Sequence, residues 1–153
     1  MTTIAEASEM IEEEDGELKL KEPIESQMTK RLKEIYKENR EYAKFLIEHG
    51  YFFLGMEEPD EDIKELVEEG KIPDEDTYCF SVSQYAVKEV DRLLYVEGWV
   101  DDGSTVLRHG FCYDKEEGAV IDLSVWNSER MEEMGESKRK EAYKGVHYLG
   151  LLI

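Results

Sequence analysis

The first strong pattern in the chain is helical. Met28, Leu32 and Ile35, then Tyr42 and Leu46 beyond an interruption at Asn39, recur at steps of three and four, and Phe45 and Ile47 widen the apolar face. That spacing predicts an amphipathic helix over residues 26–48, because side chains three and four apart share one side of a 3.6-residue turn. His49 and Gly50 supply favoured C-terminal chemistry: a cation complements the helix dipole, and glycine enters the left-handed cap conformation freely. Tyr51-Phe52-Phe53-Leu54-Gly55-Met56 follows, a strand or a buried extended connection between which periodicity does not decide. Pro59 then opens a segment with acidic residues in its first turn, Ile63, Leu66 and Val67 on one face and Gly70 after the last turn, which predicts a short helix. A loop, KIPDEDTY, leads to Cys79. Beyond it Phe80, Val82, Tyr85, Ala86, Val87 and Val90 predict a helix with a broad buried face and Cys79 in its first turn.

From Leu93 the pattern changes. LLYVEGWV is rich in aromatic and β-branched residues, and Asp101-Asp102-Gly103-Ser104 is turn chemistry. TVLRHGFCYD predicts a second strand, Lys115-Glu116-Glu117-Gly118 a second turn, and AVIDLSV a third strand, so the middle of the chain predicts an antiparallel meander. NSERMEEMGESKRKEAYKG is a loop with a helical turn, and GVHYLGLLI a closing strand or a docked apolar tail. Helices first and strands later predict an α+β domain, with N-terminal helices packed on one face of a C-terminal antiparallel sheet. Residues 1–22, with eight acidic side chains against Lys19 and Lys21, form an expected acidic N-terminal arm, mobile or docking late; residues 23–153 form the single domain.

Composition narrows the function classes. Asp and Glu number 38 against 19 Lys and Arg, a formal charge of -19 that repels phosphate and anionic lipid. Direct nucleic-acid or membrane binding is not expected, whereas a basic protein partner fits. Two cysteines without Cys-x-x-Cys spacing exclude a disulfide-built secreted scaffold and suggest a reducing compartment. The N-terminus lacks a basic and apolar leader pattern, and no run approaches a membrane span, so a cytoplasmic protein is expected. No metal or cofactor motif is present.

One constellation carries chemistry. A thiol reacts as thiolate, and a helix N-terminus lowers its pKa because free backbone N–H groups favour negative charge; Cys79 is placed for that. His109, in the middle of the second strand, is the histidine away from both a helix end and the C-terminal segment, and so the candidate base. Asp122 lies thirteen positions later, across the second turn. Pairing residue i with 231 minus i sets Asp122 beside His109 in the third strand, where it could orient the imidazole. For an oxyanion only the Cys79 backbone N–H is an obvious donor.

In the order Cys79 at a helix start, VEGW, His109-Gly110-Phe111 and Val120-Ile121-Asp122-Leu123-Ser124, residues 77–126 resemble the core of transglutaminase-like, papain-related cysteine enzymes. The resemblance implies a transglutaminase-like or papain-like core with Cys79 as nucleophile, His109 as base and Asp122 as orienter. It further implies acyl transfer or amide hydrolysis, on a protein or an amide-containing small molecule, without a metal.

Plainer roles stand beside this one. Cys79 could be a small core residue, His109 a core histidine, and Asp122 an edge or turn cap. Cys112, on the strand face opposite His109, reads as packing or as half of an oxidised bridge to Cys79. His49 and His147 read as a helix end and a strand surface, and the tryptophans and tyrosines, Tyr148 among them, as core or sheet packing. A second function, from a different class, is an acidic non-enzymatic interaction protein, an inhibitor that mimics DNA's charge with carboxylates at 12–17, 57–62 and 74–76, of a kind a phage or mobile element could use. A third keeps the cysteine-enzyme fold as an inactive scaffold.

Overall fold

A computed structural model describes residues 2–4, 11–14, 17–20, 27–73 and 78–153. Its centre is a six-stranded antiparallel sheet in the order β1-β4-β8-β5-β6-β7, formed by β1 (Thr2–Thr3), β4 (Tyr51–Leu54), β5 (Leu93–Asp101), β6 (Val106–Asp114), β7 (Ala119–Ile121) and β8 (His147–Leu152). A separate hairpin joins β2 (Ile11–Glu14) to β3 (Glu17–Leu20). The class is α+β. Of the acidic arm, Thr2 and Thr3 pair with Phe52 and Tyr51, and Ile4 is wholly buried in the core.

The long N-terminal helix is two helices, α1 (Gln27–Glu38) and α2 (Arg40–His49). The break is local chemistry: Asn39 adopts an extended backbone, and its side-chain oxygen accepts a hydrogen bond from the Tyr42 backbone at 3.1 Å, which starts a new helix. Gly50 ends α2 without entering the left-handed region (φ -88°). Space explains the glycine instead, since a Cβ there would lie 2.6 Å from the Leu46 carbonyl oxygen and 2.8 Å from Ile4. The apolar run after it is the strand β4. Helix α3 (Glu61–Glu68) follows, and α4 (Cys79–Glu89) begins at the residue expected. The connecting acidic stretch 74–76 lies outside the described residues.

The meander forms, with three corrections. Strands β5 and β6 pair along nine residues each, and the first turn falls at 102–105 because pairing continues through Asp101 and Val106. The third strand stops at Ile121, and the pairing sum is 233, as in Cys112 with Ile121, so the expected direct pairing of His109 with Asp122 does not occur. Asp122 instead caps α5 (Leu123–Trp126), its carboxylate accepting from the Val125 N–H at 3.3 Å. The stretch expected as a loop with one turn continues as α6 (Glu129–Glu132) and α7 (Glu136–Lys144). The closing segment is a strand, and β8 is internal, hydrogen-bonded to β4 on one side and β5 on the other.

Alternation along these strands divides the core. One sheet face carries Leu93, Trp99, Cys112, Ile121 and Leu149 toward α1–α4; the other carries Phe53, Val96, Phe111, Tyr113 and Tyr148 under Met131 and Tyr143 of the C-terminal helices. Glycines let the sheet close tightly in its middle: a Cβ at Gly98 would sit 1.9 Å from the Leu149 carbonyl oxygen. Beside the sheet, Arg92 ties the layers together through Asp114 (2.8 Å), Asp62 (2.8 Å) and Asp60 (3.2 Å). Among the described residues no helix is long and apolar enough to cross a membrane.

Candidate active site

Strand β6 presents alternate residues to opposite faces, so His109 and Gly110 look in different directions. On one side α4 packs its first turn directly onto Gly110. A Cβ there would come within 2.8 Å of the Phe80 ring and 3.0 Å of the Phe80 backbone, so only glycine admits the helix at this height. The half-buried Cys79 thus reaches the edge of β6, where the Gly110 backbone helps to lower the pKa of its thiol. Because β7 covers β6 only at residues 112–114, that edge is open to α4 at Gly110. Ser83, buried one turn into α4, fastens the junction: its hydroxyl lies 2.8 Å from the Cys79 carbonyl oxygen and 3.0 Å from that of Gly110.

On the other side His109 lies buried with its Nε2 2.7 Å from Asp122 Oδ2. Asp122 takes Nε2 and leaves Nδ1 free of that carboxylate, and the imidazole and the Cys79 thiol are close enough for each to shift the other's pKa. The register error is an even number of residues, so Asp122 keeps the face parity first assigned to it. Ending the strand at Ile121, just before Asp122, lets its carboxylate swing under the imidazole from a helix cap. Cys79, His109 and Asp122 are therefore brought together, from a helix N-terminus, a strand and a strand end.

The carboxylate has two further donors. Tyr148, wholly buried on β8, donates to the same Oδ2 at 2.7 Å, and the Ser124 hydroxyl lies 3.3 Å from Oδ1. The imidazole is packed among rings, stacked with Phe111 (centroids 6.1 Å) and Tyr148 (6.3 Å). Sequence reasoning passed over Tyr148, Ser83 and Gly110 as site residues; the available signal was that Tyr148 brings the only hydroxyl into the closing strand.

Electrostatics follows from these contacts. Burial pushes the Cys79 thiol up, but hydrogen bonds from His109 and the Gly110 backbone, with the imidazolium charge, outweigh it and hold the thiol below its ordinary 9.0. Burial pulls His109 down, and the Asp122 charge and hydrogen bond more than reverse this, raising it to about 10. Asp122, although fully enclosed, is held below the usual carboxylate range by His109 and Tyr148. All three shifts run in the same sense, each favouring the charged form of its group. Cys112, by contrast, is pushed up to about 12 by burial and by the Asp122 charge, and both cysteines are free thiols.

On β5, Tyr95 donates to Glu97 Oε1 at 2.7 Å and lies 3.4 Å from Gln84 Nε2. Among the described residues no group of three or more His, Cys, Asp or Glu side chains is placed to hold a metal ion. Searches against protein-family models, curated proteins and solved structures find no match for the chain.

Proposed function

We propose that the protein is a thiol-dependent acyl-transfer enzyme, an amidase, peptidase-like hydrolase or acyltransferase, built on a transglutaminase-like, papain-related core. The observation that carries the reading is the convergence of Cys79, at a helix N-terminus, with a His109 that lies 2.7 Å from the fully buried Asp122 carboxylate and lowers the Cys79 pKa. In the first half-reaction the Cys79 thiolate forms a bond to the acyl carbon, and the His109 imidazolium gives its proton to the leaving amine as the amide bond breaks. In the second, water or an acceptor amine attacks the thioester, the neutral imidazole takes its proton, and the thiolate leaves. Asp122 holds the ring in place and balances its charge throughout. The Cys79 backbone N–H, at the start of α4, is the candidate donor to the tetrahedral oxyanion.

Acylation by p-nitrophenyl acetate tests this. The expected result is a burst of p-nitrophenolate with acetyl found on Cys79, absent in Cys79→Ser and slowed about a hundredfold in His109→Ala. No adduct on Cys79, or one that forms as fast without His109, would overturn the reading.

The acidic-partner reading is carried by the charge of -19. In the 57–62 cluster, however, Glu58 accepts from Trp126 and Tyr143 at 2.9 Å each, and Asp60 and Asp62 hold Arg92, so these carboxylates have internal structural partners. The triad is therefore the stronger basis for a function.

A further inference from the structure

Asp122 poses a physical problem that His109 does not fully solve. The side chain has no solvent exposure, and a carboxylate taken out of water costs far more than one ion pair returns unless its other lone pairs are also used. Oδ1 has only long contacts, at 3.3 Å to the Val125 N–H and to the Ser124 hydroxyl. The short bonds both fall on Oδ2, from His109 Nε2 and the Tyr148 hydroxyl at 2.7 Å each. The phenol has one proton and two neighbours, Oδ2 and the Met56 sulfur at 3.4 Å; the carboxylate is by far the better acceptor, so the proton points to Asp122.

The scaffold makes this contact rigid. Tyr148 sits on the internal strand β8, paired with Phe53 on β4 and with Val100 on β5, and its ring meets Phe111 at 4.5 Å between centroids. The same Phe111 ring stacks on His109, so one aromatic group packs both the phenol and the imidazole. A tyrosine used only as filler would not need to place its hydroxyl on the oxygen that binds the catalytic base.

We propose that Tyr148 is the positioning residue of the triad: its hydroxyl keeps Asp122 ionised and aimed at His109, and through that pair sustains the thiolate at Cys79. The inference rests on the Cys79-His109-Asp122 reading. The phenol itself stays protonated, because burial, followed by the Asp122 charge, pushes it well above the ordinary tyrosine range. It therefore acts as a fixed donor and takes no part in proton transfer.

The pH dependence of Cys79 alkylation by iodoacetamide separates this role from packing. Tyr148→Phe keeps the ring and removes the donor. Asp122 then holds its charge less well, the imidazolium loses support, and the thiolate inflection moves to higher pH, with alkylation near pH 6 slowed about tenfold. In Asp122→Asn the same added change should have almost no further effect, because the hydroxyl acts through the missing charge. An inflection unmoved in Tyr148→Phe, or equal slowing by Tyr148→Phe in the wild-type and Asp122→Asn backgrounds, would overturn the proposal. A wild-type Cys79 that titrates like a free thiol would instead overturn the triad reading itself. Should Tyr148→Phe fail to fold, NMR of the wild-type protein decides: the Tyr148 hydroxyl proton should be protected from exchange and shift as the Cys79-His109 pair titrates, and a proton indifferent to that titration would refute the coupling.

Discussion

Cys79 and Cys112 lie against the same helix and the same strand, and the interior treats them in opposite ways. A chain of contacts joins them through Ser83, whose hydroxyl lies 2.8 Å from the Cys79 carbonyl oxygen and whose own carbonyl accepts from the Cys112 thiol at 3.4 Å. Cys79 stands at the first turn of α4, half-buried, with an imidazole and a backbone N–H directed at its sulfur. Cys112 stands three residues along β6 from His109, on the opposite face, with a carbonyl as its hydrogen-bond partner and a carboxylate charge nearby. Donors favour the anion; acceptors and apolar walls favour the neutral thiol. The two thiols thus differ in the groups around the sulfur, the His109 imidazole and the Gly110 backbone at Cys79 against burial and the Asp122 charge at Cys112.

The largest expected effect is on alkylation. In the folded protein near neutral pH, Cys79 should react with iodoacetamide about a hundredfold faster than Cys112, and His109→Ala should remove most of that difference. Mass spectrometry of the two cysteine peptides over time measures it. Equal labelling of both thiols before unfolding would make Cys79 a packing residue like its neighbour.

Much of this contrast was legible in the sequence. Cys79 follows a polar loop and opens an apolar-periodic segment, which marks a helix start, while Cys112 falls in an alternating strand. The three triad residues could be named because histidine is scarce and the turns around them are well marked. The His109-Asp122 register could not be read correctly, since turn composition at 115–118 fixes a hairpin but not the residue at which pairing stops. Two helices read as one because the 3.6-residue period continues through Asn39, and only its capping bond reveals the break. Tyr148 carried one sequence signal, the only hydroxyl in the closing strand, but not its partner. Its role depends on β8 returning to the sheet's interior, a long-range pairing that no local pattern records.

The second effect is on stability against pH, and its sign should differ between the two thiols. Cys79 has a folded pKa below 9.0, so its contribution is present above the unfolded value and is lost as pH falls through the folded one. Cys112 has a folded pKa raised to about 12, so its contribution is full below 9.0 and is lost as pH rises from there toward 12. Urea unfolding should therefore show the penalty of Cys79→Ala growing as pH rises toward 9, and that of Cys112→Ala shrinking above about pH 9. Parallel pH curves for the two variants would mean that the sulfurs share one environment.

The smallest effect probes the connection between the two cysteines. Ser83 is buried, and its hydroxyl has a single proton for two carbonyl oxygens, Cys79 at 2.8 Å and Gly110 at 3.0 Å. Within α4 the Cys79 carbonyl also has its regular helical donor, so the Gly110 carbonyl, at the open edge of β6, depends more on the hydroxyl. Ser83→Ala should therefore cost about 1 kcal/mol, the usual cost of a lost buried hydrogen bond, with only a minute change in volume. If the hydroxyl also sets the height of α4 over Gly110, the Cys79 sulfur drifts from His109 and its alkylation slows about threefold, while Cys112, held by the Ser83 backbone, stays as inert as before. Loss of stability with Cys79 reactivity unchanged would show that close packing of Phe80 on Gly110 alone fixes the distance, and that Ser83 only satisfies a buried carbonyl.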